Sequence, residues 1–403
     1  MKKIFTVILI VVLVFNLVAC TEQEAEVEIN EEEISENVTN SNSEFAADIF
    51  KELNGKDLEN NVFISPFSIS TALTMTYNGA VGQTKEEMEK ALRYRDIDIE
   101  EINNTYKNLI PYLSNLDEDV EIDISNSIWY REGEAINEEF LSTNTDVFDA
   151  KVEEVNFSNP DTVDIINGWI EESTKGKIEK MLNAPLPGDV VMYLINAVYF
   201  KGTWKYEFEE EKTYDGLFTD INGNEQEVKM MTSQRESLYG EGEDYKTVKL
   251  PYGNGKVSMY FVLPTEASIN DLIDTLDKEK LDEIKNSVDE QEDFLIQIPR
   301  FKLEYGIKEI SKSLKNMGMP IAFSSEADFS NIRDGIFISR VLHKAVVEVN
   351  EQGSEAAAAT VVEMVESAMP EEKNFIADRP FVFFIAEEDT GTVLFLGKYA
   401  TVE

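Results

Sequence analysis

Apolar and polar positions follow two periods along this chain, one typical of helices and one of strands. Apolar residues recur at helical spacing, which predicts helices at 44–53, 66–79, 84–92, 167–173, 269–276 and 306–317. Runs rich in β-branched and aromatic residues predict strands at 122–130, 191–200, 257–263, 294–298, 345–349, 381–385 and 393–396. Helices dominate early and strands dominate late, so we predict an α+β protein with large antiparallel or mixed sheets.

The N-terminus has the form of a secretion signal. Lys2-Lys3 precedes an apolar run at 4–15, and Leu17-Val18-Ala19-Cys20 closes it. The run is short for a helix that spans a bilayer, so we favour a cleaved signal at 1–19 over a membrane anchor. The closing residues resemble the lipobox of bacterial lipoproteins, which implies lipidation of Cys20; a plain secretory cleavage is the alternative. Because Cys20 is the only cysteine, we expect no disulfide.

An acidic stretch separates this signal from the rest of the chain. Residues 21–43 contain many Glu, Asn and Ser and no Lys, Arg, Gly or aromatic residue. Such a segment buries too little apolar surface to fold alone, so we predict a tether at 20–43. No internal repeat or further linker follows, and we predict one folded domain at 44–403.

The net charge limits the kinds of partner. The chain has 79 acidic and 36 basic residues, which gives a formal charge of −43. Binding nucleic acid or an anionic membrane surface needs clustered Lys and Arg, so we expect no nucleic-acid partner.

Small side chains follow a glycine late in the chain, in the sequence Gly353-Ser354-Glu355-Ala356-Ala357-Ala358-Ala359-Thr360. In a strand, Ser354, Ala356, Ala358 and Thr360 share one face, which is small enough to be buried in a sheet. The opposite face includes Glu355 and suits solvent. Four alanines after a glutamate equally favour an exposed helix, and the local pattern leaves both readings open.

Separated blocks of sequence resemble the serpin family, in the order in which that family has them. They are Asn61-Val62-Phe63-Ile64-Ser65-Pro66-Phe67-Ser68-Ile69, Asn196-Ala197-Val198-Tyr199-Phe200-Lys201-Gly202-Thr203-Trp204, Leu250-Pro251-Tyr252, Phe261-Val262-Leu263-Pro264, His343-Lys344-Ala345-Val346-Val347-Glu348-Val349 and Phe375-Ile376-Ala377-Asp378-Arg379-Pro380-Phe381-Val382-Phe383-Phe384-Ile385. The resemblance runs from about Phe45 to the C-terminus. It implies about three β-sheets with a large central one, about eight to nine helices and an exposed reactive-centre loop.

Serpins are suicide inhibitors of serine proteases, and the resemblance implies the same activity here. A protease cleaves the exposed loop and stays attached as an acyl-enzyme while the loop inserts into the main sheet and releases stored strain. The inserting segment must have small side chains, and this requirement favours the strand reading of the alanine run. We call Glu351 and 353–360 the hinge.

The resemblance also implies roles for single residues near the main sheet. Arg300, Glu351 and Trp204 match the breach, where the sheet first opens. Ser65, Ser68, Asn196 and His343 match the shutter, a polar cluster farther down. From the residues alone, Arg300 and Glu351 would equally form an ordinary surface pair, and Trp204 an ordinary core residue.

The sequence gives no sign of an enzyme. His343 is the only histidine, and no glycine-flanked nucleophilic serine accompanies it. We expect a buried, hydrogen-bonded histidine instead. A single histidine also argues against His-rich metal sites, and we expect no metal or cofactor.

The protease is expected to cut the loop at one of two bonds. The family's usual loop length, counted from Gly353, places the cut at Ser367–Ala368. The family often has serine just after the cut, which favours Glu366–Ser367 instead. The first choice suits an elastase-like or subtilisin-like enzyme, and the second suits a glutamate-preferring enzyme. Neither suits a trypsin-like enzyme, which requires Lys or Arg.

We therefore expect an inhibitory serpin that acts on extracellular serine proteases. We expect a monomer, lipid-anchored at Cys20 to the outer face of a bacterial membrane. A non-inhibitory serpin that serves as a binding or chaperone-like module is the main alternative, and its hinge would have bulky, charged or proline residues on the inserting face. A lipid-anchored solute-binding protein or hydrolase lacks any supporting motif.

Overall fold

A computed structural model describes residues 29–354 and 374–402 of the chain. Over this part it contains nine α-helices, and short 3-10 turns lie at Glu31–Glu33, Glu210–Lys212 and Ile321–Phe323. The helices are α1 (Glu36–Asn54), α2 (Pro66–Tyr77), α3 (Gly82–Ala91), α4 (Ile99–Ser114), α5 (Glu138–Phe148), α6 (Asp161–Ser173), α7 (Ile269–Asp274), α8 (Lys278–Asn286) and α9 (Ser311–Asn316). Within the same residues, no helix combines the length and the apolar character needed to cross a bilayer.

The strands of the described residues form three sheets. The strands are β1 (Val62–Ile64), β2 (Val120–Arg131), β3 (Ala150–Val155), β4 (Met192–Thr203), β5 (Tyr214–Thr219), β6 (Glu225–Glu241), β7 (Tyr245–Pro251), β8 (Val257–Pro264), β9 (Asp289–Pro299), β10 (Phe301–Glu304), β11 (Lys308–Glu309), β12 (Leu342–His343), β13 (Val346–Val349), β14 (Gly353–Ser354), β15 (Asn374–Ile376), β16 (Phe381–Glu387) and β17 (Val393–Tyr399). The predicted α+β class, with a large central sheet, is confirmed.

The largest sheet has nine strands and continuous pairing. Its order is β1-β17-β16-β8-β7-β6-β9-β15, and β5 pairs with β6. Strands β8, β16 and β17 are buried along their whole length, as their almost unbroken apolar sequences predict. Gly397 leaves room for the ring of Phe383 on the neighbouring strand, because a Cβ there would lie 2.3 Å from that ring. These three strands contribute many residues to the main hydrophobic core.

The six-stranded sheet is paired less evenly, in the order β10-β13-β14-β4-β2-β3. Strands β2 and β4 pair antiparallel from Val120 opposite Gly202 to Tyr130 opposite Met192. On its other side, β4 pairs among the described residues only with β14. Strand β13 pairs with β10 on one side and, through Val349 alone, with β14 on the other. Within 29–354 and 374–402, the centre of this sheet is therefore joined only at one end.

The predicted tether at 20–43 is wrong at its C-terminal end. Helix α1 begins at Glu36, and the side-chain oxygen of Ser35 accepts a hydrogen bond from the N–H of Asn37 as its N-cap. The preceding residues contact α4, where the N–H of Asn30 donates to Oδ1 of Asn108 at 2.8 Å. Val38 is fully buried. The folded body therefore includes residues well before position 44.

Other element boundaries also differ from prediction. Every strand predicted from the sequence is present, but β3, β5, β6, β7, β10, β11, β12 and β15 and the helices α4, α5 and α8 were not predicted. Helix α3 begins at Gly82, before the predicted start at 84. Only 311–316 of the helix predicted at 306–317 is helical, because 308–309 pairs with β12. The misses concentrate in segments rich in polar residues.

Candidate functional site

Gly353 and Ser354 form a short rung between two strands of the six-stranded sheet. Gly353 pairs with Thr203 and Ser354 with Gly202 on β4, while Ser354 pairs with Val349 on β13. Both residues of the rung are buried. The start of the predicted hinge is thus part of the sheet.

The backbones meet so closely at the rung that Gly353 has to lack a side chain. Its φ angle is +154°, and a Cβ there would lie 1.9 Å from the carbonyl oxygen of Gly202. That oxygen belongs to the backbone and has little freedom to move, so any other residue would be strained at this position. The rung fits only this glycine.

Glu351 lies just before the rung and is almost completely buried, with 2% of its surface exposed. Its Oε1 accepts hydrogen bonds from Nη2 of Arg300 at 2.5 Å and from the hydroxyl of Thr213 at 2.6 Å. Burial by itself would raise the pKa of Glu351, but these hydrogen bonds and the charge of Arg300 hold the pKa below its ordinary value. The carboxylate is therefore ionised and fixed. Sequence reasoning paired Arg300 with Glu351 but missed Thr213, an isolated threonine without a motif.

Trp204 and Tyr252 lie next to this carboxylate. The indole N–H of Trp204 donates to the carbonyl oxygen of Asn350 at 2.9 Å. The two rings stack with centroids 4.3 Å apart and an angle of 14°. The hydroxyl of Tyr252 lies 2.7 Å from the hydroxyl of Ser354. Tyr252 was not predicted as a site residue, although it closes the block Leu250-Pro251-Tyr252.

The structure brings three of the four predicted shutter residues together. The N–H of Ser65 donates to Nε2 of His343 at 3.2 Å. Ser65 also caps α2, since its hydroxyl accepts from the N–H of Ser68 at 3.2 Å and donates to the carbonyl oxygen of Leu394 at 2.8 Å. Burial lowers the pKa of His343 to about 4, so the imidazole is neutral near pH 7. No nucleophile is oriented by this histidine among these contacts.

Asn196 stands apart from the other shutter residues. Its Nδ2 donates to Oδ1 of Asn126 at 2.7 Å. Its Oδ1 is buried, and no hydrogen-bond partner for it is found in the described part of the chain. Asn196 shares the wall of a cavity with Ser65, Ser68 and His343. The four residues are neighbours of one cavity rather than one hydrogen-bonded cluster.

Cavities follow the two strand edges that flank the rung. One cavity of about 260 Å³ is lined by 189–198, along β4, and by 335–345, the segment that leads into β13. A smaller cavity of about 30 Å³ is lined by 198–200 on β4, 346–348 on β13 and Ser354 itself. The space between the two edges therefore continues from the rung toward His343.

The remaining predicted site residues lie outside the described residues. They are Cys20, the hinge residues Glu355, Ala356, Ala357, Ala358, Ala359 and Thr360, and the candidate reactive-bond residues Glu366, Ser367 and Ala368. The chain is described again from Asn374, where β15 pairs parallel with β9 of the nine-stranded sheet. The segment between Ser354 and Asn374 thus starts in one sheet and returns in the other.

Known proteins resemble this chain over most of its length. The sequence model of serpins (serine protease inhibitors) matches residues 40–402. Leukocyte elastase inhibitor of Bos taurus is 34% identical, over 91% of this chain and 100% of its own length. An uncharacterized serpin-like protein of Methanosarcina acetivorans is 33% identical, over 99% of this chain and 98% of its own. The native state of the thermophilic serpin Tengpin superimposes with a TM-score of 0.82 at 33% identity, and the match covers 93% of this chain and 95% of Tengpin.

Proposed function

The chain belongs to the serpin family, and we propose that it is an inhibitory member that traps serine proteases by inserting its cleaved loop into the six-stranded sheet. The rung is the observation that carries this proposal, because Gly353 and Ser354 already lie between β13 and β4. The cavities continue along the same two strand edges beyond Ser354. A strand extended from Ser354 would therefore grow where the sheet has room for it.

The proposed reaction starts with attack on the loop. The serine oxygen of the protease bonds to the carbonyl carbon of Glu366 or Ser367, the peptide bond breaks, and the new amine takes up a proton. The C-terminal segment then begins at Ser367 or Ala368 and contains β16 and β17. Because both strands are fully buried, this segment stays with the body until the protein is denatured. The ester that joins the loop to the protease is then either hydrolysed, which frees the protease, or moved together with the protease as the loop inserts.

The rung also defines which side chains insertion would bury. Continuing its antiparallel register sets Ala356 opposite Phe200 of β4 and Val347 of β13. The Phe200 ring packs against the ring of Tyr252, with centroids 5.1 Å apart, so only a small side chain fits there. Glu355 would stand opposite Lys201, which is exposed. The alternation of small and acidic residues matches a buried and a solvated face.

A matched pair of substitutions at neighbouring positions tests this mechanism. In Ala356→Arg a charged side chain would have to enter the core face, so the loop is cleaved but insertion stalls and the ester is hydrolysed. In Glu355→Arg the same side chain would face solvent beside Glu348, so trapping persists. Each variant is incubated with pancreatic elastase, subtilisin and a glutamyl endopeptidase, and the denaturant-stable complex is measured on a gel.

The outcomes of this experiment distinguish an inhibitory serpin from a non-inhibitory one. A complex with the unmodified chain and Glu355→Arg, but not with Ala356→Arg, supports trapping by insertion. Equal complex formation by both variants would contradict insertion in this register. Cleavage of the unmodified chain without any complex, across all three enzymes, would favour a non-inhibitory member.

We propose an elastase-like, subtilisin-like or glutamate-preferring protease as the target. No Lys or Arg occurs between Glu351 and Glu372, which argues against a trypsin-like enzyme. Two of the relatives are named leukocyte elastase inhibitor, from Bos taurus and Homo sapiens, which supports an elastase-like target. The mass of the C-terminal segment, measured after denaturation of the complex, distinguishes a start at Ser367 from a start at Ala368.

We also propose that lipidated Cys20 holds the inhibitor at the outer face of a bacterial membrane. The proposal rests on the signal-like sequence at 1–19 and on the position of the only cysteine at its end. In Cys20→Ser the protein should leave the membrane fraction of expressing cells and lose the mass of the acyl chains. Retention of both in the variant would contradict the proposal.

A further inference from the structure

Tyr252 links the two large sheets at the rung. It follows β7 of the nine-stranded sheet directly, and it is fully buried. Its hydroxyl lies 2.7 Å from the hydroxyl of Ser354 in the six-stranded sheet, and it also donates to Sδ of Met259 at 3.4 Å. Ser354 of the hinge is therefore bound to a residue that directly follows a strand of the other sheet.

The ring of Tyr252 is held from three sides. Trp204 stacks on one face at 4.3 Å, and Phe200 meets the ring edge-on at 5.1 Å and 71°. Gly202 passes so close that a Cβ there would lie 2.7 Å from the ring. Trp204, Phe200 and Gly202 all belong to β4 or directly follow it. The hydroxyl of Tyr252 is therefore a fixed point relative to the strand along which the loop would insert.

A fixed point matters because a strand has two faces. A shift of register by one residue would turn every side chain of an inserting strand to the opposite face. Glu355 and Glu363 would then point into the core, and a buried unpaired carboxylate is strongly unfavourable. After Ser354 the next hydroxyl on the same face is that of Thr360, so only Ser354 offers a hydroxyl to Tyr252 at the start of the strand.

We propose that Tyr252 is a positioning residue that fixes the register in which the loop enters the sheet, through the bond between its hydroxyl and that of Ser354. The inference rests on the proposed inhibitory function, which it deepens. The two glycines let the backbones approach, and the paired hydroxyls then select the correct residue for the first position. A correct register leads to insertion and trapping, whereas a displaced one delays insertion and leaves time for hydrolysis of the ester.

The first test measures how cleaved molecules divide between complex and free product. Tyr252→Phe keeps the ring and removes the hydroxyl, and Ser354→Ala removes its partner. Each should raise the ratio of free cleaved product to complex about three- to tenfold, in line with the loss of one hydrogen bond. The double variant should be no worse than either single one, because both remove the same bond.

Tyr260→Phe is a matched control. Tyr260 is also fully buried and stacked, on Phe384 at 4.6 Å, and its hydroxyl bonds to Glu388 at 3.1 Å, away from the rung. Both tyrosine variants should lower the melting temperature of the native protein to a similar extent. Only Tyr252→Phe should change the ratio of free product to complex.

The second test reads the register directly in the full chain with Cys20→Ser. A single cysteine is placed at Ala356 or at Glu355, the loop is cleaved with subtilisin, and reactivity toward 5,5′-dithiobis(2-nitrobenzoate) is measured. The cysteine at 356 should be protected and the one at 355 reactive. Adding Tyr252→Phe should reduce this contrast.

The two readouts keep the register inference separate from the proposed function. If the unmodified chain traps proteases but Tyr252→Phe changes neither the ratio nor the contrast, the inference is wrong and inhibition stands. If the chain traps no protease, the thiol contrast in the cleaved protein still decides whether Tyr252 sets the register.

Discussion

The two ends of the space between β4 and β13 differ in how closely they are packed, although each has a buried polar atom without a partner in the described residues, Nε of Arg300 at the rung and Oδ1 of Asn196 near His343. At the rung, Glu351 has two side-chain donors, and the hydroxyls of Ser354 and Tyr252 bind each other. Near His343, Oδ1 of Asn196 is buried without a partner in the described chain, and a cavity of about 260 Å³ lies alongside. The rung is closely packed, whereas the end near His343, called the lower end below, is loosely packed.

This difference shows how one sheet could combine a fixed starting point for a new strand with strands that separate easily. In the proposed insertion, the closely fitted end would fix where the strand starts and which face it buries. A loosely filled end has few contacts to lose when the strands part. The nine-stranded sheet, whose strands β8, β16 and β17 are buried throughout, would provide the frame for the proposed insertion.

The largest effect on this contrast is expected from Gly353→Ala. The left-handed region disfavours alanine by about 1–3 kcal/mol, and overpacking against the Gly202 carbonyl adds about 1–3 kcal/mol. We expect the rung to be lost, so that hydrogen exchange at Ser354 rises toward the rate of an unpaired amide. Gly168→Ala is the control, because a Cβ there meets nothing within 4 Å. An unchanged exchange rate in Gly353→Ala would disprove the close fit.

A smaller effect is expected at the lower end, from the protonation of His343. Its pKa of about 4 in the folded protein lies below the ordinary 6.5, so folding favours the neutral ring. The stability that this group contributes is complete above pH 6.5 and is lost as the pH falls toward 4. The loss amounts to about 3 kcal/mol at about 1.4 kcal/mol per pKa unit.

The His343→Gln variant isolates this loss. Glutamine still offers an oxygen to the N–H of Ser65 but does not titrate. The difference between the urea midpoints of the two proteins should therefore change between pH 6.5 and 4. A constant difference over this range would show that folding does not lower the pKa of His343.

The smallest effect is expected for Glu351→Gln. The carboxylate loses its charge but keeps its size, and Arg300 has 34% of its side chain exposed, so solvent screens part of the loss. We expect a destabilisation of about 1–2 kcal/mol, measured by urea unfolding at pH 7. Because the pKa of Glu351 is lowered in the fold, its contribution is present above pH 4.5 and is lost at lower pH.

The pair of Glu121 with Lys175 supplies the control for Glu351→Gln. Both side chains are more than 40% exposed. Glu121→Gln should therefore change the free energy of unfolding by no more than about 0.5 kcal/mol. Equal effects of the two substitutions would mean that the carboxylate at the rung is no better fixed than one at the surface.

The strands could be predicted where apolar residues carry the signal, as in β8, β16 and β17. Strand β6 was missed because Glu225–Glu241 is largely polar and owes its place to pairing with β5, β7 and β9. The first turns of α1 were missed because Asn, Thr and Ser are weak helix formers. Here Thr39, Ser41, Asn42 and Ser43 are buried, and the hydroxyl of Ser41 donates to the carbonyl oxygen of Asn37 at 2.8 Å.

The residues of the candidate site also fall into those that could be predicted from the sequence and those that could not. Gly353, Glu351, Arg300 and Trp204 were named from the resemblance, and the structure shows them together. Thr213 and Tyr252 were not named, because a lone hydroxyl has no periodicity and gains its partner only when distant segments meet. Packing that depends on tertiary contacts leaves no local pattern to read.

The rung has a further consequence for the kinetics of strand growth. Starting a new strand is slow because the ends of a flexible segment must first be brought together. Only then do further hydrogen-bonded pairs offset the conformational entropy that this ordering costs. With Ser354 already paired on both sides, that nucleation step would be complete before the proposed cleavage of the loop. Insertion would then be pure elongation, one residue at a time, and its speed would depend on how quickly each side chain passes between the two strand edges.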